Sequence, residues 1–328
     1  MVFTKQKKLP GQSRGIQHSA PQNPCIPEWI TELTDKGLIM FTLTEWKKLT
    51  LTCLCCFTVL AGCSQQTTRR VSMKDYVLDE THSSAAQNKR IRFLIFHYTA
   101  VDNATSLKLL TGENVSAHYL ISDQTDSLTG KPVVYRLVSE NRRAWHAGLS
   151  NWSGRVNLND SSVGIEIVNP GFTEDMLGQK TWYPYREQQI NALTALAREI
   201  IRRYAITPDN VLGHSDIAPL RKQDPGRLFP WKALAAQGVG AWPDPLRVQK
   251  YLDGRSKNAP ADVLSVQTLL KRYGYDQIPL SGVLDDDTRK TISAFQMHFR
   301  QENTDGTPDA ETEAIAQALN EQYRAPLS

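Results

Sequence analysis

The sequence predicts an α/β fold, a mixed central β-sheet flanked by helices, followed by a small three-helix domain at the C-terminus. Three observations carry this. Between about residues 90 and 254, short apolar runs of strand character are interleaved with one long amphipathic helical pattern. The tail from residue 259 repeats a G-x-x-D-x-x-T motif, each copy standing before a helical apolar pattern. The length, 328 residues at 40% hydrophobic and 22% charged, suggests about two ordinary globular domains.

Residues 1–39 show no periodicity and mix Lys, Gln, Pro and Gly, so a non-native or unstructured extension is expected there. From Met40 the text changes. Lys47-Lys48 precede an apolar run from Leu49 to Leu60, closed by Ala61-Gly62-Cys63. A basic start, a short apolar stretch and a small-residue boundary have the grammar of a secretory signal over 40–62. The run is too short to span a bilayer comfortably. Residues 63–89 then read as a polar tether.

The first strand of the folded part is Arg90-Ile-Arg-Phe-Leu-Ile-Phe96, apolar on both parities, as a central strand covered on two sides requires. It delivers His97 to its C-terminal lip. Val115–Ile121 and Pro132–Val138 follow as strands with a turn at Thr129-Gly130-Lys131, and Ser162–Val168 is another, stopped by Asn169-Pro-Gly171. The helix covers about residues 186–204, with Ile190, Leu193, Ala197, Ile200, Ile201 and Tyr204 on one face. Glu187 in its first turn and Arg202 and Arg203 in its last suit the helix dipole. Val211-Leu-Gly213 is a short strand that ends on His214. In the tail, Gly282-Val-Leu-Asp285-Asp-Asp-Thr288 and Gly306-Thr-Pro-Asp309-Ala-Glu-Thr312 each supply a turn glycine and a capping aspartate. A further helix runs from Leu264 to Tyr273.

The formal net charge of +4, without a long Lys/Arg block, speaks against a nucleic-acid partner. All five cysteines lie at or before Cys63, so any metal in the folded part must be held by His, Asp or Glu. His97 alone reads first as a half-buried histidine satisfied by backbone. With His214 on a second strand lip and Asp224 in the Arg221–Gly226 loop it would make a three-ligand zinc site with one open position, suited to amide hydrolysis. Spacing leaves His118 and His146 available as ligands too, and Asp216 as a rival carboxylate.

Six segments then stand in a familiar order: Phe96–Ala100, Ser116–Leu120, Trp145–Gly148, Val163–Ile167, Gly213–Asp216 and Lys222–Gly226. Together they resemble the zinc-dependent N-acetylmuramoyl-L-alanine amidases of the amidase-2 class, whose fold is shared by peptidoglycan recognition proteins. The resemblance implies one zinc per chain on His97, His214 and Asp224, the aspartate variant of the ligand set. It implies Glu166 as the catalytic acid–base and Lys222 as the stabiliser of the tetrahedral oxyanion. Ile165 and Ile167 flank Glu166 and place it on the opposite face, toward a cleft. Trp145 and His146 would line the substrate groove, and His118 reads as structural or supporting. The implied reaction hydrolyses the amide between N-acetylmuramic acid, or its 1,6-anhydro form, and L-alanine of the stem peptide. The domains implied are a zinc amidase at 90–254 and a peptidoglycan-binding-like helical domain at 259–328, where Ser281 departs from the aspartate that usually precedes the first glycine.

Leu60-Ala-Gly-Cys63 likewise resembles a lipoprotein signal, implying acylation of Cys63 and, with Ser64 following, an outer-membrane location facing the periplasm; a monomer is expected. Two other functions remain open on sequence alone: a peptidoglycan-binding protein without catalysis, and a zinc endopeptidase of the stem peptide.

Overall fold

The computed structural model describes residues 70–324, so the signal segment and Cys63 lie outside the described residues. Residues 70–84 belong to a separate unit, with a two-stranded antiparallel hairpin of β1 (Arg70–Ser72) and β2 (Val77–Asp79). Everything from Ala85 onward is one compact unit.

That unit opens with β3 (Phe93–Tyr98) and α1 (Asn103–Leu110), then β4 (Tyr119–Thr125) and β5 (Pro132–Arg136). Two short hairpin arms, β6 (Asn151–Trp152) and β7 (Arg155–Val156), precede β8 (Ser162–Ile167). A second hairpin, β9 (Phe172–Glu174) and β10 (Lys180–Trp182), leads to α2 (Glu187–Tyr204). Strand β11 (Val211–Gly213) runs straight into the short helix α3 (His214–Ile217), followed by α4 (Trp231–Ala235). Four helices close the chain: α5 (Pro245–Leu252), α6 (Val263–Tyr273), α7 (Asp286–Phe299) and α8 (Ala310–Tyr323).

The five-stranded sheet has the order β11-β3-β8-β4-β5. The first four strands are mutually parallel and β5 is antiparallel, giving the mixed sheet expected. Parallel neighbours end on the same edge of a sheet, and that edge is where an α/β fold builds sites. Here it collects the ends of β3, β8 and β11.

Alternation along β3 explains how both faces are covered. Leu94 and Phe96 pack with Val163, Ile165 and the α2 residues Leu193, Ala197 and Ile200. Phe93 and Ile95 pack on the other face with Trp152, Leu158 and Leu212. This second cluster does not stop at the sheet. It continues through Ile217 into Val266, Leu270, Tyr273, Phe295 and Phe299, so the C-terminal helices share a core with the sheet domain. Helix α5 joins them through Arg247, which pairs with Glu321 on α8 at 2.5 Å.

The repeated tail motif does what its residue types dictate. Asp285 accepts from the Thr288 amide at 2.8 Å and Asp309 from the Thr312 amide at 2.9 Å, each capping a helix. Two glutamines not singled out in the sequence complete the symmetry. The Gln267 amide oxygen accepts from Gly282 N–H and its nitrogen donates to Thr288 Oγ1; Gln296 treats Gly306 and Thr312 in the same way.

Boundaries shift where tertiary pairing overrides pattern. Strand β3 starts at Phe93, not Arg90, and extends through His97 and Tyr98 because β8 pairs with it that far, His97 opposite Glu166. The stretch from Val115 to His118 is not part of β4: Ser116 N–H bonds to the Trp145 carbonyl instead, tying this segment to the loop before β6. Helix α1 had no strong apolar period; its signal was Asp102, whose carboxylate caps Thr105 N–H at 2.8 Å.

Candidate metal centre and cleft

His97 is the fifth residue of β3 and Glu166 the fifth of β8, directly paired across the two strands. Parallel neighbours in register point the same way, so both side chains leave the same face of the sheet. His214 follows at the first position of α3, beyond β11. The turn around Pro225 brings Asp224 back against both histidines. It is held by two bonds: Ser215 N–H donates to the Asp224 carbonyl, and Tyr185 O–H donates to the Pro225 carbonyl at 2.8 Å.

The three side chains converge on one point. His97 Nδ1 and His214 Nδ1 are 3.0 Å apart, and each lies 3.0 Å from Asp224 Oδ2. Among the described residues this trio is the group close enough to share an ion. Tetrahedral zinc with bonds of about 2.0–2.1 Å needs ligand atoms roughly 3.3 Å apart, so the observed triangle is close to that size.

The hydrogen-bond network decides which nitrogens face the point. Ser162 Oγ donates to the Leu158 carbonyl at 2.6 Å, which can only accept. Its oxygen is then the acceptor for His146 Nε2–H at 3.1 Å. His146 Nδ1 must accept, and takes the proton of His97 Nε2–H at 3.0 Å. His97 Nδ1 is left bare. On the other side, His214 Nε2–H donates to the Ala147 carbonyl at 3.1 Å, and His214 Nδ1 is bare too. Two imidazole lone pairs and a carboxylate oxygen meet at 3.0 Å with no proton assigned among them. That is a donor set built for a cation, its outer bonds fixing each tautomer.

Electrostatics agrees. Burial lowers His97 to about 4, so the ring stays neutral. Burial alone would raise Asp224, but His214 and His97 hold it well below the usual carboxylate range. Glu166 goes the other way: burial, then the nearby Asp224 charge, push it well above its ordinary value, with Lys222 partly offsetting them. Its Oε2 is buried with no hydrogen-bond partner among the described residues.

Beside these groups lies a cavity of about 430 Å³ whose lining includes Glu166, His214, Asp224, Lys222, Trp145 and His146. The structure therefore brings the three proposed ligands together with Glu166, Lys222, Trp145 and His146, since His97 adjoins His146, His214 and Asp224. Trp145 stands half exposed at the rim. His146 edges the cavity, but both its ring nitrogens are engaged by His97 and Ser162. Gly164 makes room for it: a Cβ there would lie 2.4 Å from the imidazole. His118 is structural, accepting from Gly164 N–H and donating to the Arg142 carbonyl.

Asp216, the rival ligand, faces away. It accepts from Tyr275 O–H at 2.6 Å, His298 Nδ1–H at 2.8 Å and Gly213 N–H at 2.7 Å. His298 in turn stacks on Trp231, with ring centroids 3.7 Å apart. The partners from α6–α7 and beyond were invisible in the sequence, because nothing local marks a contact across 59 or 82 residues. Arg221 was also missed; it donates to the carbonyls of Ala147 and Leu149 and lies 3.3 Å from His214 Nε2.

Comparison with known proteins fits this geometry. A family profile described as N-acetylmuramoyl-L-alanine amidase matches residues 87–227, and one described as a peptidoglycan binding domain matches 260–315. The N-acetylmuramoyl-L-alanine amidase AmiD of Escherichia coli (strain K12) is 48% identical over 265 residues, 81% of this chain and 95% of that protein. Its solved complex with anhydro-N-acetylmuramic acid-L-Ala-D-gamma-Glu-L-Lys superposes with a TM-score of 0.73, at 48% identity, covering 77% of this chain and 98% of that one. AmpDh3 from Pseudomonas aeruginosa, in complex with an anhydromuramic pentapeptide, gives a TM-score of 0.68 at 44% identity, covering 78% and 99%.

Proposed function

The chain belongs to the amidase-2 family of N-acetylmuramoyl-L-alanine amidases, and from that premise we propose how its residues divide the work. The reaction is hydrolysis of the amide joining the muramyl lactyl carbonyl to the L-alanine nitrogen of a stem peptide, in cell-wall turnover. The observation that carries the assignment of roles is the placement of Glu166 in strand register with His97, on the cavity that His214 and Asp224 also line.

His97, His214 and Asp224 would hold one zinc ion. Zinc in such a site supplies Lewis acidity, lowering the pKa of a water and polarising an amide carbonyl. Glu166 takes a proton from the attacking water. Its carboxyl, held high by burial, keeps that proton and then passes it to the nitrogen of L-alanine as the C–N bond breaks. Lys222 lines the same cavity and donates to the carbonyl oxygen as negative charge develops there. Trp145 offers its exposed face to the sugar, and His146 keeps His97 in the correct tautomer.

The intact ligand set argues against a purely binding role. The test is Glu166→Gln, which should retain one zinc by metal analysis while losing at least a hundredfold in kcat. Turnover near wild type would reassign the acid–base; a product cut between two amino acids would make the enzyme an endopeptidase instead.

We further propose acylation of Cys63 and an outer-membrane, periplasm-facing location, supported by the Leu60-Ala-Gly-Cys63 sequence. Labelled palmitate should enter the wild-type chain and not Cys63→Ala, with the variant leaving the membrane fraction. Equal labelling of both would remove the proposal.

A further inference from the structure

A second cavity, about 590 Å³, lies beside the metal cleft. One wall comes from the β9–β10 hairpin and the Pro219–Arg227 loop, the other from α7 and the turn before α8. Lys222 and Gln223 line both cavities, so the two adjoin along that loop. The lining of this second groove carries five cations, Lys180, Lys222, Arg227, Arg289 and Lys290, against one carboxylate, Asp305.

Most of that charge is uncommitted. Lys290 pairs with Asp286 at 2.6 Å within its own helix. Lys180 donates to Gln223 Oε1 at 2.7 Å and lies over the Phe172 ring, and Arg227 makes a long 3.4 Å bond to the Glu302 carbonyl. Among the described residues, Lys222 and Arg289 have neither a side-chain hydrogen bond nor an ion pair. Cations gathered in a cleft repel one another, and a carboxylate ligand relieves that repulsion; arginine does so with paired hydrogen bonds.

We propose that this groove is a subsite for the carboxylate-bearing distal part of the stem peptide, and that α7 of the C-terminal helical unit supplies one wall of it. The proposal rests on the amidase reading above. A glutamate joined through its γ-carboxyl, as in the ligand of the AmiD complex, leaves its α-carboxylate free one residue beyond the alanine, and the peptide ends in another. Three residues of extended chain reach about 10 Å from the cleaved amide, at roughly 3.3–3.6 Å each. The metal cleft has Trp145, Leu110 and Val115 on its lining, suited to a sugar and its lactyl group, while Lys222 and Gln223 mark the side that adjoins the cationic groove. Sugar on the aromatic side and acidic peptide on the cationic side is the direction that matches charge to charge. Trp182, also on the lining, offers an apolar surface to the side chain of the third residue.

The experiment uses the zinc-loaded chain, the variants Arg289→Glu and Arg289→Lys, and two substrates: muramyl-L-alaninamide and muramyl-L-Ala-γ-D-Glu-L-Lys. Arg289→Glu should raise KM for the tripeptide substrate about tenfold and leave kcat/KM for the alaninamide within about twofold, the scale of one charged contact. Arg289→Lys should restore most of the loss. In the wild type, amidating the glutamate α-carboxylate should reproduce the Arg289→Glu defect. An unchanged tripeptide KM, or an equal loss on both substrates, would overturn the subsite. If the wild type cleaved neither substrate, the fault would lie with the amidase reading.

Discussion

Replacing Tyr275 by phenylalanine removes one oxygen atom and should be felt at the metal. Tyr275 is fully buried, edge-on to Trp152 at 5.0 Å and packed on Phe295, so the ring stays in place without its hydroxyl. What is lost is the 2.6 Å bond to Asp216 Oδ1, for which no other partner exists among the described residues. A hydrogen bond to a buried charged group is worth about 1.5–3 kcal/mol. At about 2–4 °C per kcal/mol for a unit of this size, the metal-free protein should melt roughly 3–12 °C lower. Asp216 Oδ2 also fixes Gly213 N–H, the residue before the ligand His214, so a displaced carboxylate loosens the ligand as well. Loss of a ligand's own hydrogen-bond partner costs about 10–100-fold in metal affinity, and one bond further out the low end applies. By linkage, a tenfold loss removes about 1.4 kcal/mol of zinc stabilisation, so the melting deficit must widen when zinc is present. The assay is a melting curve with and without zinc, together with a zinc titration. An unchanged melting temperature would mean that the hydroxyl contributes nothing. An equal deficit with and without zinc would confine it to packing and refute the link to the metal helix.

Two other perturbations test the frame. Gly164→Ala places a methyl 2.4 Å from the His146 ring in a buried site; overpacking of this kind costs about 1–3 kcal/mol, and the displaced imidazole should weaken zinc binding in a competition titration. Glu140 accepts from Tyr119 O–H at 2.7 Å, Tyr204 O–H at 2.8 Å and Arg203, joining β4 to α2. Burial alone would raise its pKa, but Arg203 and the two tyrosines bring it below the ordinary 4.5. A lowered folded pKa gives stability that is present above the unfolded value and lost as pH falls through the folded one. Glu140→Gln should therefore be about 2 kcal/mol less stable at neutral pH, with the gap to wild type closing below about pH 4.5, read by urea unfolding at a series of pH values.

Much of the sheet was legible because burial on both faces writes itself locally: the apolar run ending at Phe96 and the Ser162–Val168 segment both became central strands. The cap-and-turn logic of Asp285 and Asp309 was legible for the same reason, since a cap acts within three residues. The metal ligands were placed by resemblance more than by pattern, for His118 and His146 had the same chemistry as His97. Only the fold separates them: His118 is spent on Gly164 and Arg142, and His146 on His97 and Ser162. Asp216 shows the limit most clearly. Two residues from a ligand, it read as a competing ligand; its real partners, Tyr275 and His298, lie in the last quarter of the chain.

The segment from Gly213 to Arg227 explains why the helical tail and the sheet domain form one unit. It carries two proposed zinc ligands, His214 and Asp224, on the face turned to the cleft. On the opposite face Asp216 receives Tyr275 and His298 from the helices, and Ile217 joins their shared core. At its far end Pro219, Lys222, Gln223 and Arg227 line the groove whose other wall is α7. A movement of the helices against the sheet would therefore displace both ligands and reshape the groove together. Deleting the chain after Gly254 would uncover Trp152, which packs on Tyr273 and Tyr275, and strip Asp216 of its two side-chain donors. Such a truncation should lose zinc and solubility together, whereas a tail that served only as a wall-binding appendage would leave a folded, zinc-loaded amidase behind.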